Sequence, residues 1–97
     1  MAEINELKVG QIVFSKRGRD KGLPFVVVST EENYIWLADG KLRRIEKPKK
    51  KKRIHVQPVK IIDEDIGRKI TEKVTGGPGV IDADLRKMLE AFLCDRL

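Results

Sequence analysis

The chain has 97 residues, 40% of them hydrophobic, and carries a formal net charge of +6 at pH 7. This length suits one small domain with an appendage, and its small core leaves little room for a deep substrate cavity. No apolar run approaches the roughly 20 residues of a membrane span. The single cysteine and the single histidine exclude an internal disulfide and a Cys/His zinc cluster.

The chain begins with an acidic segment and continues with strand-like segments. Met1–Glu6 lacks the basic and then apolar pattern of a secretory signal, so we expect a cytoplasmic protein. The β-branched and aromatic residues of Val9–Lys16 predict a strand, and the two glycines of Lys16–Gly22 predict a polar loop. Pro24–Thr30 is almost continuously apolar, which predicts a strand buried on both faces.

The next segments predict a hairpin followed by a basic loop. Tyr34–Ala38 is a predicted strand, and Asp39-Gly40 is a hairpin signal that joins it to a half-exposed strand at Lys41–Glu46. Because Pro48 interrupts the ladder, the lysine run Lys49–Lys52 is predicted to form a loop.

Five short strands complete a predicted mainly β domain over residues 1–58. The fifth is Ile54–Pro58, with Ile54 and Val56 expected on one face. Short strands joined by tight turns indicate a small closed or nearly closed barrel. Residues 41–53 hold nine basic residues and one acid, a patch that would attract a polyanion by charge and by counterion release.

The following segment, residues 59–79, is predicted to be a linker that can form a short helix. Apolar residues recur there at every fourth position: Ile62, Ile66, Ile70 and Val74. Either Asp63 or Asp65 would cap this helix, and Gly67 would weaken it. Thr75–Gly79 is predicted to end it as a flexible joint.

Residues 80–97 predict an amphipathic C-terminal helix with Asp82 as its N-cap. Its apolar stripe consists of Ile81, Leu85, Met88, Leu89, Phe92 and Leu93. The stripe would pack against the barrel or against another protomer, and Cys94 is expected to be a small half-buried hydrophobe. Trp36 is predicted to face away from the inward-pointing residues of its strand. There it would either stack on an RNA base or pack against the C-terminal helix. The apolar stripe of that helix favours packing.

The chain resembles a known family in most of its length. Gly10–Val13, Gly18–Gly22 and Phe25–Val28 look like a KOW motif, which is a strand, a basic glycine-containing loop and a second strand. Further segments are similar to the ribosomal-protein-fourteen branch of large-subunit proteins from archaea and eukaryotes: Asp39-Gly40, Leu42–Ile45, Lys49–Arg53, Ile54–Val56 and Ile81–Leu89. The resemblance implies a small SH3-like, KOW-type, five-stranded barrel and binding of RNA, with ribosomal RNA in a translation ribonucleoprotein as the expected partner.

The candidate RNA-binding residues are the basic residues of the two loops and their neighbours: Lys16, Arg17, Arg19, Lys21, Lys41, Arg43, Arg44, Lys47, Lys49, Lys50, Lys51, Lys52, Arg53 and His55. Lysines are expected to supply phosphate affinity, whereas Arg43, Arg44 and Arg53 can pair bidentately or stack on bases. In the first loop, Gly18 and Gly22 are expected to take positive φ angles. Asp20 is expected to bond loop amides.

Two other function classes compete with RNA binding. A protein-interaction module would dock a translation or transcription partner, such as ribosomal proteins or RNA polymerase, through the barrel and the tail helix. An enzyme is not expected, because Cys94 has no recognisable histidine partner and Gly76–Gly79 lacks the Lys-Ser/Thr of a phosphate-binding loop. The sequence predicts no cofactor and no metal, and it leaves open the oligomeric state and whether the RNA is a loop, a junction or a duplex.

Overall fold

The computed structural model describes residues 7–72 and 78–95. Its strands are β1 (Gln11–Ser15), β2 (Pro24–Thr30), β3 (Tyr34–Ala38), β4 (Lys49–Lys52) and β5 (Val56–Ile62). A 3-10 turn, Arg53–His55, separates β4 from β5, and two helices follow, α1 (Glu64–Glu72) and α2 (Pro78–Asp95).

The strands form one antiparallel sheet in the order β4-β3-β2-β1-β5. Five strands followed by a C-terminal helix confirm the predicted content. The sheet is not closed into a barrel through its backbone, because β4 pairs only with β3 and β5 pairs only with β1.

Both faces of the sheet carry an apolar core, as predicted for the continuous run in β2. Val26 and Val28 point to one face, and Phe25 and Val27 point to the other. The first core joins the sheet to the helices and contains Ile12, Val26, Val28, Ala38, Ile66, Ile81, Leu85, Leu89 and Phe92. The second lies on the opposite face and contains Leu7, Val13, Phe25, Val27, Ile35, Leu37 and Val56.

The lysine run is a strand and not the predicted loop. Lys49–Lys52 pairs with β3, with Lys51 opposite Ile35 and Lys50 opposite Trp36. Lysine has a low strand propensity, but it is common at sheet edges, where charge prevents pairing with another chain. An edge position therefore permits a strand that propensity alone does not predict.

The predicted strand at Lys41–Glu46 is wrong, because this segment forms turns within a longer β3–β4 connection. The Asp39 carboxylate accepts hydrogen bonds from the amides of Lys41 and Arg43, at 2.9 and 2.8 Å. These bonds fold the chain locally and remove the amides from any ladder. Asp39-Gly40 does form a turn, with Gly40 at φ 78°, but it does not make a two-residue hairpin.

The fifth strand begins later and ends later than predicted. Ile54 lies in the 3-10 turn and is 73% exposed, so it does not share a buried face with Val56. The strand continues through Pro58 to Ile62, into the segment predicted to be a linker. The side-chain amide of Gln11 donates to the Val59 carbonyl at 2.9 Å, where the register between β1 and β5 shifts.

Helix α1 is capped by Asp63, whose carboxylate accepts the Ile66 amide at 3.0 Å. Gly67 is buried in this helix and lies against the backbone of Val9 and Gly10. A Cβ at Gly67 would lie 2.6 Å from the Val9 carbonyl oxygen, so the glycine that weakens the helix in isolation permits its docking.

Helix α2 packs its predicted stripe on the sheet except for Leu93, which is 42% exposed, and the Phe14 and Phe92 ring centroids are 5.8 Å apart. It begins at Pro78, so Asp82 is not its N-cap: the buried Asp82 carboxylate accepts the Ile45 amide at 2.8 Å. Cys94 is exposed and does not form part of the core.

The outer face of β3 contributes to the same packing. Trp36 is half-buried against the core that contains the helix residues, which agrees with the favoured role as a helix seat. The Lys50 ammonium lies 5.6 Å from the Trp36 ring and 4.3 Å from the Tyr34 ring. The predictions for Met1–Glu6, for Val74–Gly77 and for the last two residues of the C-terminal helix lie outside the described residues.

Substituting Gly67→Ala tests the close approach between α1 and the start of β1. Alanine favours an isolated helix over glycine by about 1 kcal/mol. In this chain it must displace the Val9 carbonyl, so we expect a loss of about 1–3 kcal/mol in the free energy of unfolding. Urea unfolding measures it, with the exposed Thr71→Ala in the same helix as control. A Gly67→Ala protein as stable as Thr71→Ala would contradict the packing.

Candidate nucleic-acid interface

The two basic loops leave the sheet at the same end. The 16–23 loop joins β1 to β2 and the 39–48 loop joins β3 to β4, and successive strands are antiparallel. The antiparallel order therefore brings together bases that are far apart in the sequence. Each loop is held in place by a different buried polar contact.

The 16–23 loop is anchored by the side chain of Lys51, which is 8% exposed. Its ammonium donates to Ser15 Oγ at 2.7 Å, to the Arg17 carbonyl at 2.8 Å and to Asp20 Oδ1 at 2.8 Å. An ammonium has three N–H donors, so all of them are used inside the protein. Full pairing of this kind is what allows a lysine to be buried.

The partners of Lys51 are themselves connected. The Ser15 hydroxyl accepts from Lys51 and has one proton to donate, to Asp20 Oδ1 at 2.7 Å or to the Arg17 carbonyl at 2.9 Å. Lys49 adds an ion pair with Asp20 Oδ2 at 2.7 Å, although this oxygen accepts no hydrogen bond. We call Ser15, Asp20, Lys49 and Lys51 the loop anchor.

Asp20 is the acid of this anchor and does not bond loop amides as predicted. Burial raises its pKa, but the contacts from Lys49, Lys51 and Ser15 outweigh burial and hold the pKa well below its ordinary value of 3.8. Asp20 is therefore ionised at neutral pH and supplies the carboxylate of the ion pair with Lys51. A serine beside a lysine can serve as a nucleophile and base, but here Ser15 is buried and Lys51 is committed to the carboxylate.

The four lysines of β4 have separate environments, because side chains alternate along a strand. Lys49 and Lys51 point towards the 16–23 loop and pair with Asp20. Lys50 points to the opposite face and lies over the aromatic rings of β3. Lys52 is exposed beside the 3-10 turn. The four lysines are therefore not equivalent, and Lys51 is the one that is buried with its three donors used inside the protein.

The 3-10 turn carries a second group of predicted site residues. Arg53 donates from its amide to the Asn33 carbonyl at 3.0 Å and from Nε to the Glu31 carbonyl at 2.7 Å. The Lys16 amide donates to the His55 carbonyl at 2.8 Å, which attaches the turn to the 16–23 loop. Arg53 is thus engaged by the backbone and has a structural role.

The pKa of His55 is affected by the charged side chains around it. Partial burial of the imidazole and nearby positive charges lower the pKa of His55 below its ordinary value of 6.5, which leaves the ring largely neutral at pH 7. The cations responsible are Arg17, Lys52, Lys51 and Lys16. This part of the surface is therefore electropositive, and basic residues from two segments of the chain contribute to it.

The 39–48 loop is held against helix α2. The Asp82 carboxylate accepts the Ile45 amide, and Arg86 donates to the Gly40 carbonyl at 2.5 Å. A Cβ at Gly40, which has φ 78°, would collide with the Asp82 carbonyl. The predicted site residues of this loop are all exposed to solvent: Lys41, Arg43, Arg44 and Lys47.

The structure thus divides the predicted site residues into exposed and engaged groups. Exposed bases on the two loops and beside the turn are Lys16, Arg17, Arg19, Lys21, Lys41, Arg43, Arg44, Lys47 and Lys52. Sequence reasoning missed the anchoring roles of Ser15, Asp82 and Arg86. One signal was available in the sequence. Asp20 is a single acidic residue in a loop of basic residues, which indicates that its carboxylate pairs with a basic side chain.

The surface over the two helices has a different character. Asp63, Asp65 and Asp84 line a shallow depression there, together with Lys69 and Lys87. Lys69 pairs with Asp84 at 3.0 Å, which joins α1 to α2, and this contact raises the pKa of Lys69. Basic and acidic groups are mixed on this side, in contrast to the end of the sheet that carries the two basic loops.

Within residues 7–72 and 78–95, no three His, Cys, Asp or Glu side chains come together as a metal site. No helix in these ranges is long and apolar enough to cross a membrane. The sequence matches no model of a known protein family and no curated protein.

Substituting Lys51→Met tests the loop anchor. The variant leaves Asp20 nearly buried with one of its two cationic partners removed, and we expect a loss of about 3 kcal/mol in the free energy of unfolding. Lys50→Met on the same strand is the matched control and loses an exposed cation–π contact, worth about 1 kcal/mol or less. Denaturant unfolding compares the two. Equal losses would show that the buried contacts of Lys51 contribute nothing.

The depressed pKa of Asp20 predicts a loss of stability in acid. Its contribution is fully present above the unfolded value of 3.8 and is lost as pH falls towards the lower folded pKa. Asp20→Asn should therefore be less stable than the natural chain at pH 7, with the difference shrinking between about pH 5 and about pH 2. Urea unfolding across this range measures it, with the exposed Asp65→Asn as control. A constant difference for Asp20→Asn would contradict the assignment.

Proposed function

We propose that this protein is a non-enzymatic RNA-binding protein of the ribosomal-protein type, which contacts RNA phosphates through its two basic loops and the adjacent 3-10 turn. Ribosomal RNA in the cytoplasm is the partner that the KOW resemblance favours. The observation that carries the proposal is that the two loops with exposed basic residues leave the sheet at the same end, with the acid of the 16–23 loop turned inward to the loop anchor.

The charge balance of the 16–23 loop supports this proposal. Asp20 is the acid between Lys16 and Leu23, and it is taken up by Lys49 and Lys51 from β4. Lys16, Arg17, Arg19 and Lys21 are exposed and make no ion pair with another described residue. Exposed cations without carboxylate partners repel one another, and a phosphate backbone relieves that repulsion.

The proposed site differs from the one expected from the sequence alone. Lys51 and Arg53 hold the fold, Lys49 is partly used by Asp20, and Lys50 lies over aromatic rings. The phosphate contacts are therefore assigned to the exposed loop bases and to Lys52. Arg43 and Arg44, whose guanidinium groups can pair bidentately, are the candidates for selective contacts.

The same proposal includes the SH3-like barrel of the KOW resemblance. The strand order and the two-sided core are compatible with a strongly curled sheet, and Lys51 of edge strand β4 reaches Ser15 of β1 across the inner face. Side-chain contacts of this kind would complete the barrel where no backbone ladder closes it.

A protein-docking role is the second candidate, and one observation favours it. Leu23, Leu42 and Leu93 line a groove of about 350 Å³ between the 39–48 loop and α2. The sheet covers the apolar stripe of α2 except for Leu93, so partners such as ribosomal proteins or RNA polymerase would use this groove instead. Retention of such a partner after ribonuclease treatment, and its loss on Leu42→Ser, would support docking.

Removing three loop charges tests RNA binding. We expect the triple variant Arg17→Gln, Arg43→Gln, Arg44→Gln to bind ribosomal RNA fragments more weakly, with the slope of log affinity against log salt reduced by about 2. The matched control removes the same charge from the other surfaces: Lys60→Gln, Arg68→Gln and Lys87→Gln. Filter binding over about 50 to 200 mM salt measures both slopes. Equal effects of the two triples would reduce the interaction to net charge and contradict a located site.

A further inference from the structure

The 3-10 turn presents an apolar side chain that phosphate binding does not explain. Ile54 is 73% exposed, the highest value of any large hydrophobic residue within residues 7–72 and 78–95. It lies between Arg53, which is bonded to the 31–33 turn, and His55, whose carbonyl accepts the Lys16 amide. The backbone that carries Ile54 is therefore held from both sides, which determines where its exposed side chain leaves the surface.

The surroundings of Ile54 are cationic. Lys16, Arg17 and Lys52 lie close enough to the neighbouring His55 to depress the pKa of its ring. An apolar protein partner would have to bury these charges, which is costly without matching acids. A polyanion with an apolar face satisfies both parts of the surface at once.

An unpaired nucleotide has this combination of properties. Its base offers an apolar face, and its flanking phosphates are negative. In an uninterrupted A-form duplex the bases are stacked and the major groove is too deep and narrow for side chains to read. Only a base that has left the stack can reach a short side chain such as Ile54, with the neutral ring of His55 beside it.

We propose that Ile54 and His55 form a platform for one unpaired RNA base, with the flanking phosphates on Lys16, Arg17 and Lys52. This inference rests on the proposed RNA-binding function and specifies its substrate class. The protein would select bulges, loops or junctions over continuous duplex.

The test compares two RNA hairpins that differ by one nucleotide. One carries a single bulged 2-aminopurine, whose fluorescence reports on stacking, and the other is the same hairpin with the bulge deleted. We expect the full chain to bind the bulged hairpin about tenfold more tightly, because only the bulged base can contact the apolar side chain of Ile54 and the imidazole ring of His55. A change in 2-aminopurine fluorescence should accompany binding.

Two variants locate the platform. Ile54→Ser should remove the preference by weakening only the bulged complex, and Ile61→Ser should leave both affinities unchanged. Ile61 is a matched control because it is an isoleucine that is 44% exposed and lies on β5, outside the two basic loops and the 3-10 turn. Neither side chain is buried, so thermal unfolding of both variants should match that of the natural chain.

The remaining outcomes separate this inference from the function on which it rests. Equal, salt-dependent binding to both hairpins, unaffected by Ile54→Ser, would overturn the platform and leave phosphate binding intact. Loss of the preference on Ile61→Ser would overturn the assigned location. Failure to bind either hairpin would overturn the RNA-binding function itself, and Ile54-dependent binding to phosphatidylglycerol vesicles instead would assign the surface to lipid.

Discussion

The geometry of the end of the sheet that carries the 16–23 and 39–48 loops depends on the buried ammonium of Lys51. It connects the edge strand β4 to Ser15 at the end of β1 and to the Arg17 carbonyl and the Asp20 carboxylate of the adjoining 16–23 loop, so one side chain joins two parts of the chain that are more than 30 residues apart. A neutral side chain could not satisfy these acceptors, and an ammonium with fewer partners could not be buried at acceptable cost. The sheet has no backbone ladder between its edges, which makes this contact its main polar link across the inner face.

The loop anchor also determines which charges face outward. Two lysines pair with Asp20, so the anchor keeps a net positive charge while removing from the surface the acid that would otherwise pair with the loop bases. The fall in the pKa of His55 indicates that the neighbouring bases act together on the adjacent turn. Stability of the fold and the sign of its surface potential thus arise from the same ion pairs.

The sequence predicts the parts of the structure in which apolar periodicity is visible. The two-sided burial of β2, the alternation of Ile35, Trp36 and Leu37, and the stripe of α2 all follow from side-chain spacing. Strand β4 could not be predicted in this way, since a period of two is invisible in four identical residues. The role of Asp82 was also hidden, because it depends on where α2 begins and on a loop 37 residues away.

The exposed basic side chains of the proposed surface are attached to a backbone that is already ordered. The 16–23 loop is fixed by a lysine whose three donors are satisfied internally, the 39–48 loop by Asp82 and Arg86, and the 3-10 turn by bonds at both ends. A phosphate that approaches therefore competes with few internal contacts and has only the outer side chains to order. Since ordering of groups on association opposes binding, this arrangement favours affinity without a change of fold.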